Sequence, residues 1–408
     1  MISSKNKLYQ NMFILSIMQI INYLSPLIVL PYLSRIFTTE GFGFIMVIIS
    51  IITMSTILTE YGFNVYSTNK IALNKEHKNK ISYHITSVYI IKIFLFFIIS
   101  LPITYYFIIN NISLVYLFLT LTSILFQSFQ NTWFFQGIEK MLFIMIITSI
   151  SKLIYLLLII SLVNNANDIS TVLFCLALSN LAGFILSITS IYKNGYYFKI
   201  PKIRLVKKIF INSTYFFISR AAVVVYTSAS TFIVGTFSGL IQAALYSSTE
   251  KLYFAGQNLC SPISQALYPY LSRTKKCQDI YKITFLLLIP LTAICIIAMI
   301  FSGEILTIIY GPQYYEAKNI LRIFLLTIIF TFISINFGYP AFSTINRLDI
   351  PNKTVIFGAI AQISLLLILY TNNLLTAISV ASSICLVEFI IMNLRIIIFT
   401  NLIKNKYE

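Results

Sequence analysis

The chain has 408 residues, of which 58% are hydrophobic and only 10% are charged, and its mean hydropathy is +0.87. Soluble globular proteins carry about 25% charged residues, which cover their surface. This composition excludes a soluble enzyme, a secreted disulfide scaffold and a disordered chain, and it indicates an integral membrane protein. The 29 Lys and Arg residues outnumber the 12 Asp and Glu residues, which gives a net charge of +17.

Apolar segments separated by polar clusters predict an all-α membrane protein with twelve transmembrane helices. Each segment is close to the ~20 residues that an α-helix needs to cross a bilayer, and none shows the alternation of a transmembrane β-strand. Lys5 and Lys7 precede a long apolar run without a small-residue cleavage site, which predicts an uncleaved first span. The predicted spans cover residues 11–34, 43–66, 84–108, 114–136, 142–163, 169–192, 209–234, 242–270, 283–302, 319–341, 354–371 and 375–399.

The distribution of Lys and Arg predicts the orientation of these spans. An even number of spans places both termini on the same side of the membrane. If that side is the cytoplasm, the inner segments carry 21 Lys and Arg residues, and the outer ones carry only Arg35, Lys318 and Arg322. The positive-inside rule therefore predicts a multi-pass protein with both termini cytoplasmic. Most of the positive charge then sets orientation, and nucleic acid is not an expected partner.

The chain also divides into two halves of six predicted spans. The sixth span ends near residue 192, and the longest basic loop follows, from Lys193 to Lys208. This arrangement predicts an N-terminal lobe over residues 1–200 and a C-terminal lobe over residues 201–408, around a central cationic cavity. Two lobes and a central cleft are the architecture expected for alternating access.

Apart from Arg322, which lies in the first turn of its span and is counted with the outer segments, eight charged residues lie within predicted spans. A charge in mid-membrane costs about 2.5–3.5 kcal/mol on insertion scales, so each one needs a partner or a water-filled cavity. Lys92 and Arg395 are placed so that a long side chain is expected to snorkel to the interface. The remaining six are Glu60, Lys152, Arg220, Glu250, Lys251 and Glu388.

Five predicted spans carry sets of polar side chains, and three of these sets share a helical face with a charged residue. They have two explanations: hydrogen bonding between neighbouring helices, or a shared water-accessible cavity, which the recurrence in both halves favours. The sets are Ser213, Arg220, Thr227 and Thr231; Thr53, Thr56, Glu60 and Asn64; Thr148, Lys152 and Tyr155; Gln127, Gln130 and Asn131; and Gln19, Asn22, Tyr23 and Ser25.

Motifs of catalysis and metal binding are absent from the sequence. It contains no GxxxxGK[ST] nucleotide-binding loop and no HExxH metal motif. The longest predicted external loop, over residues 303–318, is too short for a polymerase site. The five cysteines are scattered, and His77 and His84 flank a loop where solvation is expected. We therefore expect neither a bound metal nor a cofactor.

Several short segments resemble one family of membrane proteins, the bacterial O-antigen and polysaccharide-unit flippases. These form the polysaccharide transport family of the multidrug/oligosaccharidyl-lipid/polysaccharide exporter (MOP) superfamily. The resemblance implies a MATE-like fold and covers nearly the whole chain. It is carried by residues 31–35, 40–43, 61–64, 69–72 and 133–141, and in the second half by residues 244–247, 250–251, 267–269, 310–312 and 316–317.

The resemblance implies a transporter rather than an enzyme. Its cargo would be an undecaprenyl-diphosphate-linked oligosaccharide repeat unit, moved from the cytoplasmic to the periplasmic leaflet of the bacterial inner membrane for O-antigen or other surface polysaccharide biosynthesis. The partners implied are this lipid-linked oligosaccharide, the lipid bilayer and other membrane proteins of polysaccharide assembly.

A diphosphate needs cations, and Arg can grip its oxygens with two hydrogen bonds. We therefore expect Arg220 to be the principal contact, assisted by Lys152 and Lys251. Arg35 is expected either to gate release or to anchor the helix at the interface. Other expected substrate contacts are Lys92, Gln127, Gln130 and Asn131.

The carboxylates Glu60 and Glu250 are expected to pair with the cations of the empty cavity or to carry a coupling proton. Glu250 and Lys251 point about 100° apart on an ideal helix, so we do not expect them to pair with each other.

Three other functions are compatible with a polytopic membrane protein. A drug or cation antiporter of the same fold usually carries a carboxylate in its first span, and this first span has none. A polysaccharide polymerase or membrane glycosyltransferase needs catalytic carboxylates on a large external loop, which is missing. A purely structural role would leave the charges within the spans without a use.

Overall fold

The computed structural model describes residues 4–227, 229–275 and 277–407, and within these ranges it is helical, with no β-strand. This confirms the predicted all-α class. The helices in chain order are α1 (Ser4–Ile36), α2 (Thr39–Glu60), α3 (Phe63–Leu73), α4 (Lys78–Ile109), α5 (Leu114–Ser128), α6 (Thr132–Gly137), α7 (Met141–Leu162), α8 (Ile169–Lys193), α9 (Ile203–Thr227), α10 (Ala229–Ser238), α11 (Leu240–Thr274), α12 (Cys277–Ile300), α13 (Ser302–Tyr310), a 3₁₀ helix (Pro312–Ala317), α14 (Lys318–Asn336), α15 (Tyr339–Thr344), α16 (Asp349–Thr371) and α17 (Ala377–Tyr407).

The chain forms two compact units. The first comprises Met1–Phe37 and Ile48–Val224, and the second comprises Thr38–Val47 and Val225–Glu408. The division falls inside α9, whereas the sequence places the boundary between lobes near residue 200. The basic loop after α8 therefore belongs entirely to the first unit.

The structure describes a multi-pass membrane protein. Each predicted span coincides with one helix or with two consecutive helices. Eight helical segments in the described ranges are long and apolar enough to cross a bilayer, and Leu24–Ile36 and Ala229–Ser238 are shorter apolar helices. The eight segments are Thr39–Leu73, Lys78–Ile109, Met141–Leu162, Ile169–Lys193, Cys277–Ile300, Pro312–Thr344, Asp349–Thr371 and Ala377–Lys404.

A break divides the second predicted span into α2 and α3. Gly62 at the break has a φ of +75°, a conformation that glycine adopts at little cost. A Cβ atom on Gly62 would lie 2.8 Å from the backbone nitrogen of Phe217 and 2.7 Å from the Cβ of Phe216. Glycine at this position therefore lets α9 pack directly on the corner between α2 and α3.

Three aromatic residues of α6 lie in the core of the first unit. Trp133, Phe134 and Phe135 are fully buried and pack with Ile71 of α3. The segment over residues 133–141, which carries part of the family resemblance, thus lies largely in the packing core of this unit. In the second unit, a corresponding cluster includes Leu271, Ile280, Phe342 and Phe399, each fully buried.

The structure differs from the sequence prediction over residues 303–318, which were expected to form an external loop. They form α13 and the 3₁₀ helix instead. Tyr310 and Tyr314 are fully buried, and their ring centroids lie 6.4 and 5.8 Å from that of Phe42. The burial of two large aromatic rings explains why this segment is ordered and helical.

Candidate functional site

Lys92 of α4 lies at the break between α5 and α6. Its side chain is completely buried, and its ammonium donates a hydrogen bond to the backbone carbonyl of Ser128 at 2.5 Å. It also lies 6.0 Å from the centroid of the Phe129 ring. The carbonyl belongs to the last residue of α5, where the helix dipole places partial negative charge. Lys92 therefore caps the C-terminus of α5 inside the protein and does not snorkel.

Glu60 ends α2 close to the same break. The side-chain nitrogen of Asn64 donates to its carboxylate at 2.6 Å, which is the contact expected from their shared face. The hydroxyl of the preceding residue, Thr59, lies 2.7 Å from the Ser128 hydroxyl, so the end of α2 lies beside the residue whose carbonyl Lys92 caps. The structure thus associates Glu60 with Lys92 in the first unit.

The amide residues at the α5–α6 break differ in their surroundings. Asn131 is buried and its side-chain nitrogen donates to Tyr89, to Ser187 at 3.1 Å and to the backbone carbonyl of Phe129 at 3.0 Å. Its backbone N–H donates to the Ser187 hydroxyl at 2.9 Å. Asn131 therefore fixes the start of α6 against α4 and α8.

Gln127 and Gln130 are both half-buried. The Gln130 amide donates to the backbone carbonyl of Asn180 at 3.4 Å. Gly183 allows this approach, because a Cβ atom there would lie 2.7 Å from the Gln130 side-chain nitrogen. The Gln127 amide makes no hydrogen bond with any residue that the structure describes.

Lys152 lies in the middle of α7 and is half-buried. In the ranges described, its ammonium has neither an ion pair nor a hydrogen bond. Its neighbours on the predicted polar face are satisfied or enclosed, since Thr148 bonds to the Ile144 carbonyl of its own helix at 2.8 Å and Tyr155 is buried. Lys152 is therefore a cation within an apolar helix that the described protein leaves without a partner.

Glu250 of α11 is the central charge of the second unit. It is 3% exposed and accepts a hydrogen bond from the Thr231 hydroxyl of α10 at 3.0 Å. The Lys251 ammonium lies 3.4 Å from the same carboxylate oxygen. The prediction that Glu250 and Lys251 do not pair is wrong, because the long lysine side chain can fold back to the neighbouring carboxylate.

Lys251 also keeps contact with its surroundings. Its side chain is 30% exposed, and the ammonium lies 5.7 Å from the centroid of the Phe254 ring. A cation over an aromatic face is attracted to the ring quadrupole. The 3.4 Å separation from Glu250 is longer than the usual 2.7–2.9 Å of a charge-assisted hydrogen bond. Lys251 is therefore paired with Glu250 and still partly exposed.

Arg395 of α17 was expected to snorkel, and the structure shows instead that it is buried. Its guanidinium donates to the Thr354 hydroxyl at 2.9 Å and to the Ser334 backbone carbonyl at 2.8 Å. Glu388 lies seven residues earlier, on the same face of the same helix. Arg395 therefore joins α14, α16 and α17. The seven-residue spacing from Glu388 was the sequence signal for this internal role.

Two predicted cations remain. Arg35 is exposed at the C-terminal turn of α1. Arg220 lies in α9, and its side chain is outside the described residues. The structure therefore associates Glu60 with Lys92 and Glu250 with Lys251, and it leaves Lys152 apart. In the described ranges, no three His, Cys, Asp or Glu side chains are arranged to hold a metal ion.

Solved structures of two transporters share the fold of this chain. An inward-facing multidrug resistance MATE transporter of the MOP superfamily superposes with a TM-score of 0.71, at 12% identity and 95% coverage of both chains. The lipid II flippase MurJ gives a TM-score of 0.68 at 15% identity, covering 93% of this chain and 87% of its own. The fold is therefore that of the MOP superfamily transporters.

Sequence comparisons identify the family to which this chain belongs. A family described as "Polysaccharide biosynthesis protein" matches residues 8–275. A relative from Shigella dysenteriae is 33% identical over 323 residues, which are 75% of this chain and 78% of the relative. A relative from Escherichia coli K12 is 26% identical over 410 residues, or 98% of each chain. Both are described as "Putative O-antigen transporter". This chain belongs to the polysaccharide biosynthesis protein family, which confirms the resemblance drawn from its sequence.

Proposed function

We propose that the protein is a flippase. It moves an undecaprenyl-diphosphate-linked oligosaccharide repeat unit from the cytoplasmic to the periplasmic leaflet by alternating access, for the biosynthesis of O-antigen or another surface polysaccharide. Membership of the polysaccharide biosynthesis family and the descriptions of the two relatives support this cargo. The proposal rests above all on the position of Lys152, which lies in an apolar helix and has no partner among the described residues.

The diphosphate is the part of the cargo that these cations recognise. Lysine ammonium groups bind phosphate as point charges, whereas arginine binds it through two parallel hydrogen bonds. In this proposal Lys152, Lys251 and Arg220 are the cations that contact the diphosphate. Arg35, exposed at the end of α1, serves in release of the cargo.

The sugars need hydrogen-bonding groups that the protein does not already use. Gln127 meets this requirement best, because its amide is half-buried and has no partner in the described ranges. Gln130 contributes with its weak 3.4 Å bond to Asn180. Lys92 and Asn131 act on the cargo indirectly, by holding the α5–α6 break in the shape that presents these two amides.

Glu250 balances the charge of Lys251 while no cargo is bound. The diphosphate then competes with this carboxylate for the ammonium, and the Thr231 hydroxyl holds Glu250 in place. Cargo binding is thereby coupled to the charge of Glu250. A proton or cation taken up by Glu250 would weaken its attraction for Lys251 and so favour binding of the diphosphate.

The membrane location follows from the same charge distribution. We place the protein in the bacterial inner membrane with both termini in the cytoplasm, because 21 Lys and Arg residues then face the cytoplasm and three face the periplasm. The lipid-linked oligosaccharide and the bilayer are its primary partners, and further polysaccharide-assembly membrane proteins receive the exported unit.

The lipid-linked intermediates of a deletion strain test this function. Loss of a flippase traps single repeat units on the cytoplasmic leaflet, so they remain protected from a glycosidase added to spheroplasts. Loss of a polymerase leaves single units at the cell surface, where the glycosidase reaches them. Loss of a drug antiporter leaves polysaccharide intact and raises drug sensitivity. Only the first outcome supports the proposal.

A further inference from the structure

The first unit contains a cavity of about 380 Å³ that no part of the proposed transport site uses. It lies where α3, the start of α4 and the start of α9 meet. This size falls within the ~300–1,000 Å³ of ligand pockets in proteins. Its walls are Tyr66, Lys70, Ile71, Asn74, Lys80, Ile81, Tyr83, His84, Leu205, Lys208 and Ile209.

Three lysines from three different helices line this cavity, and no lining residue is acidic. Lys70 comes from α3, Lys80 from α4 and Lys208 from α9. In the described part of the chain, none of their ammonium groups has an ion pair or a hydrogen bond. The Lys70 ammonium also makes a cation–π contact, 5.8 Å from the centroid of the Tyr66 ring.

Three other lysines of this unit have partners in the protein. Lys75 forms a salt bridge with Glu139, and Lys140 donates to the side-chain oxygen of Asn194. Lys199 donates to the side-chain oxygen of Asn79 at 2.7 Å. The three cavity lysines differ from these, because they line one cavity and no acidic residue of the described ranges lines it with them.

The rest of the wall supplies hydrogen-bonding groups above an apolar floor. Tyr66, Tyr83 and Asn74 line the cavity with groups that can donate to an anion, and Ile81 and Ile209 are buried beneath them. His84 was expected to be solvated. The structure instead packs its ring 6.2 Å from Tyr66 and 6.4 Å from Trp133, with Nε2 buried, because aromatic rings of α3 and α6 enclose it.

We propose that this cavity binds a phosphate or diphosphate group. Several cations that converge without a carboxylate favour an anion of more than one negative charge, and ammonium groups are established phosphate ligands. The group is carried either by a membrane lipid or by a soluble phosphate compound. This inference is independent of the cargo proposed above, since neither Lys152 nor Lys251 lines the cavity.

The same lysines also contribute to the positive charge that sets membrane orientation. Single substitutions separate this role from anion binding in the cavity. Each Lys→Gln change removes one of 21 charges on that side, which leaves the orientation bias intact. It removes one of three charges from the cavity. Lys202→Gln is the matched control, because Lys202 is exposed in the same basic segment and does not line the cavity.

Trp133 provides a built-in reporter of binding, because it is the only tryptophan of the chain and its ring lies 6.4 Å from that of His84. The full chain is placed in nanodiscs of phosphatidylcholine and titrated with inorganic diphosphate, followed by Trp133 fluorescence and by calorimetry. A second arm compares nanodiscs with and without phosphatidylglycerol. Both arms are repeated with Lys80→Gln, Lys208→Gln, the Lys70/Lys80/Lys208→Gln triple variant and Lys202→Gln.

We expect wild type to bind at least one probe saturably, with affinity that falls as salt rises. Each single cavity variant should weaken binding about tenfold, because it removes one charge-assisted contact, and Lys202→Gln should bind as wild type does. Binding of diphosphate in neutral nanodiscs identifies a soluble phosphate compound as sufficient. A response to phosphatidylglycerol alone identifies a lipid headgroup. Absence of binding in both arms, or equal binding by wild type and the triple variant, would overturn the proposal.

Discussion

Lys92 and Lys152 are two lysines of the same unit, each within a predicted span, and the structure treats them differently. Lys92 is fully buried and its ammonium bonds to the Ser128 carbonyl at 2.5 Å. Lys152 is half-buried and has no such bond in the described ranges. The contrast indicates that a charge in a membrane helix points most directly to a binding role when the fold leaves it without a partner.

The second unit shows an intermediate case. Lys251 has a carboxylate partner at 3.4 Å and remains 30% exposed. Arg395 resembles Lys92, because its guanidinium is buried and donates to Thr354 and Ser334 of the same unit. Buried cations that the protein hydrogen-bonds in this way support the architecture, and those without such bonds are available to cargo. The following substitutions test this division.

Lys152→Gln should have the largest effect, and on transport alone. It removes the charge that contacts the diphosphate, which costs about 3 kcal/mol, or about a hundredfold in transport, if two charge-assisted hydrogen bonds are lost. The apparent melting temperature of the purified protein should stay at the wild-type value, because no protein contact is lost. Surface polysaccharide is measured in a complemented deletion strain, and Lys202→Gln serves as the control.

Lys92→Met should instead destabilise the fold. The methionine fills similar space, but the Ser128 carbonyl loses its donor, and leaving a buried acceptor unsatisfied costs about 1–3 kcal/mol. Thermal unfolding in detergent measures the change. Transport should fall only as far as the amount of folded protein falls. Wild-type stability together with lost transport would show that Lys92 contacts the cargo and does not stabilise the fold.

Arg395→Lys should have a smaller effect on stability. It keeps the positive charge facing Glu388, but a single ammonium cannot reproduce the hydrogen bonds to both Thr354 and Ser334. We expect a loss of about 1 kcal/mol, the net value of one hydrogen bond. A specific loss of export with unchanged melting temperature would contradict the internal role given to Arg395.

Glu250→Gln should have the smallest effect on the empty protein. The amide oxygen still accepts from Thr231, and the lost attraction to Lys251 acts over 3.4 Å with a partner that is 30% exposed. We therefore expect a loss of at most about 1 kcal/mol, the net value of one hydrogen bond. A melting temperature that falls more than that of Lys92→Met would show that the pair holds the second unit together.

The sequence determines the architecture to a large extent. Hydropathy alone locates a helix, or two consecutive helices, at every predicted span, since each apolar run must satisfy its backbone internally. Breaks such as the one at Gly62 were not foreseen, because they depend on how closely another helix approaches. The ordered segment over residues 302–317 was missed for a similar reason: the burial of Tyr310 and Tyr314 depends on Phe42, which is distant in sequence.

The partners of charged residues were harder to predict than the residues themselves. The sequence identifies Lys92, Lys152 and Glu250 as costly charges, but it does not show that Lys92 meets a backbone carbonyl, a group every residue carries. The cavity lysines were hidden in another way. Lys70, Lys80 and Lys208 looked like three of many orientation charges, and only the packing of α3, α4 and α9 brings them to one cavity.

Transport by the purified protein tests directly whether Lys152 contacts the cargo and Lys92 only supports the fold. Wild type, Lys152→Gln and Lys92→Met are placed in proteoliposomes with an undecaprenyl-diphosphate-linked oligosaccharide, and the fraction that a membrane-impermeant glycosidase can cleave is followed over time. We expect wild type and the folded fraction of Lys92→Met to move the lipid between leaflets, and we expect Lys152→Gln not to. Wild-type transport rates in the Lys152→Gln protein would contradict it.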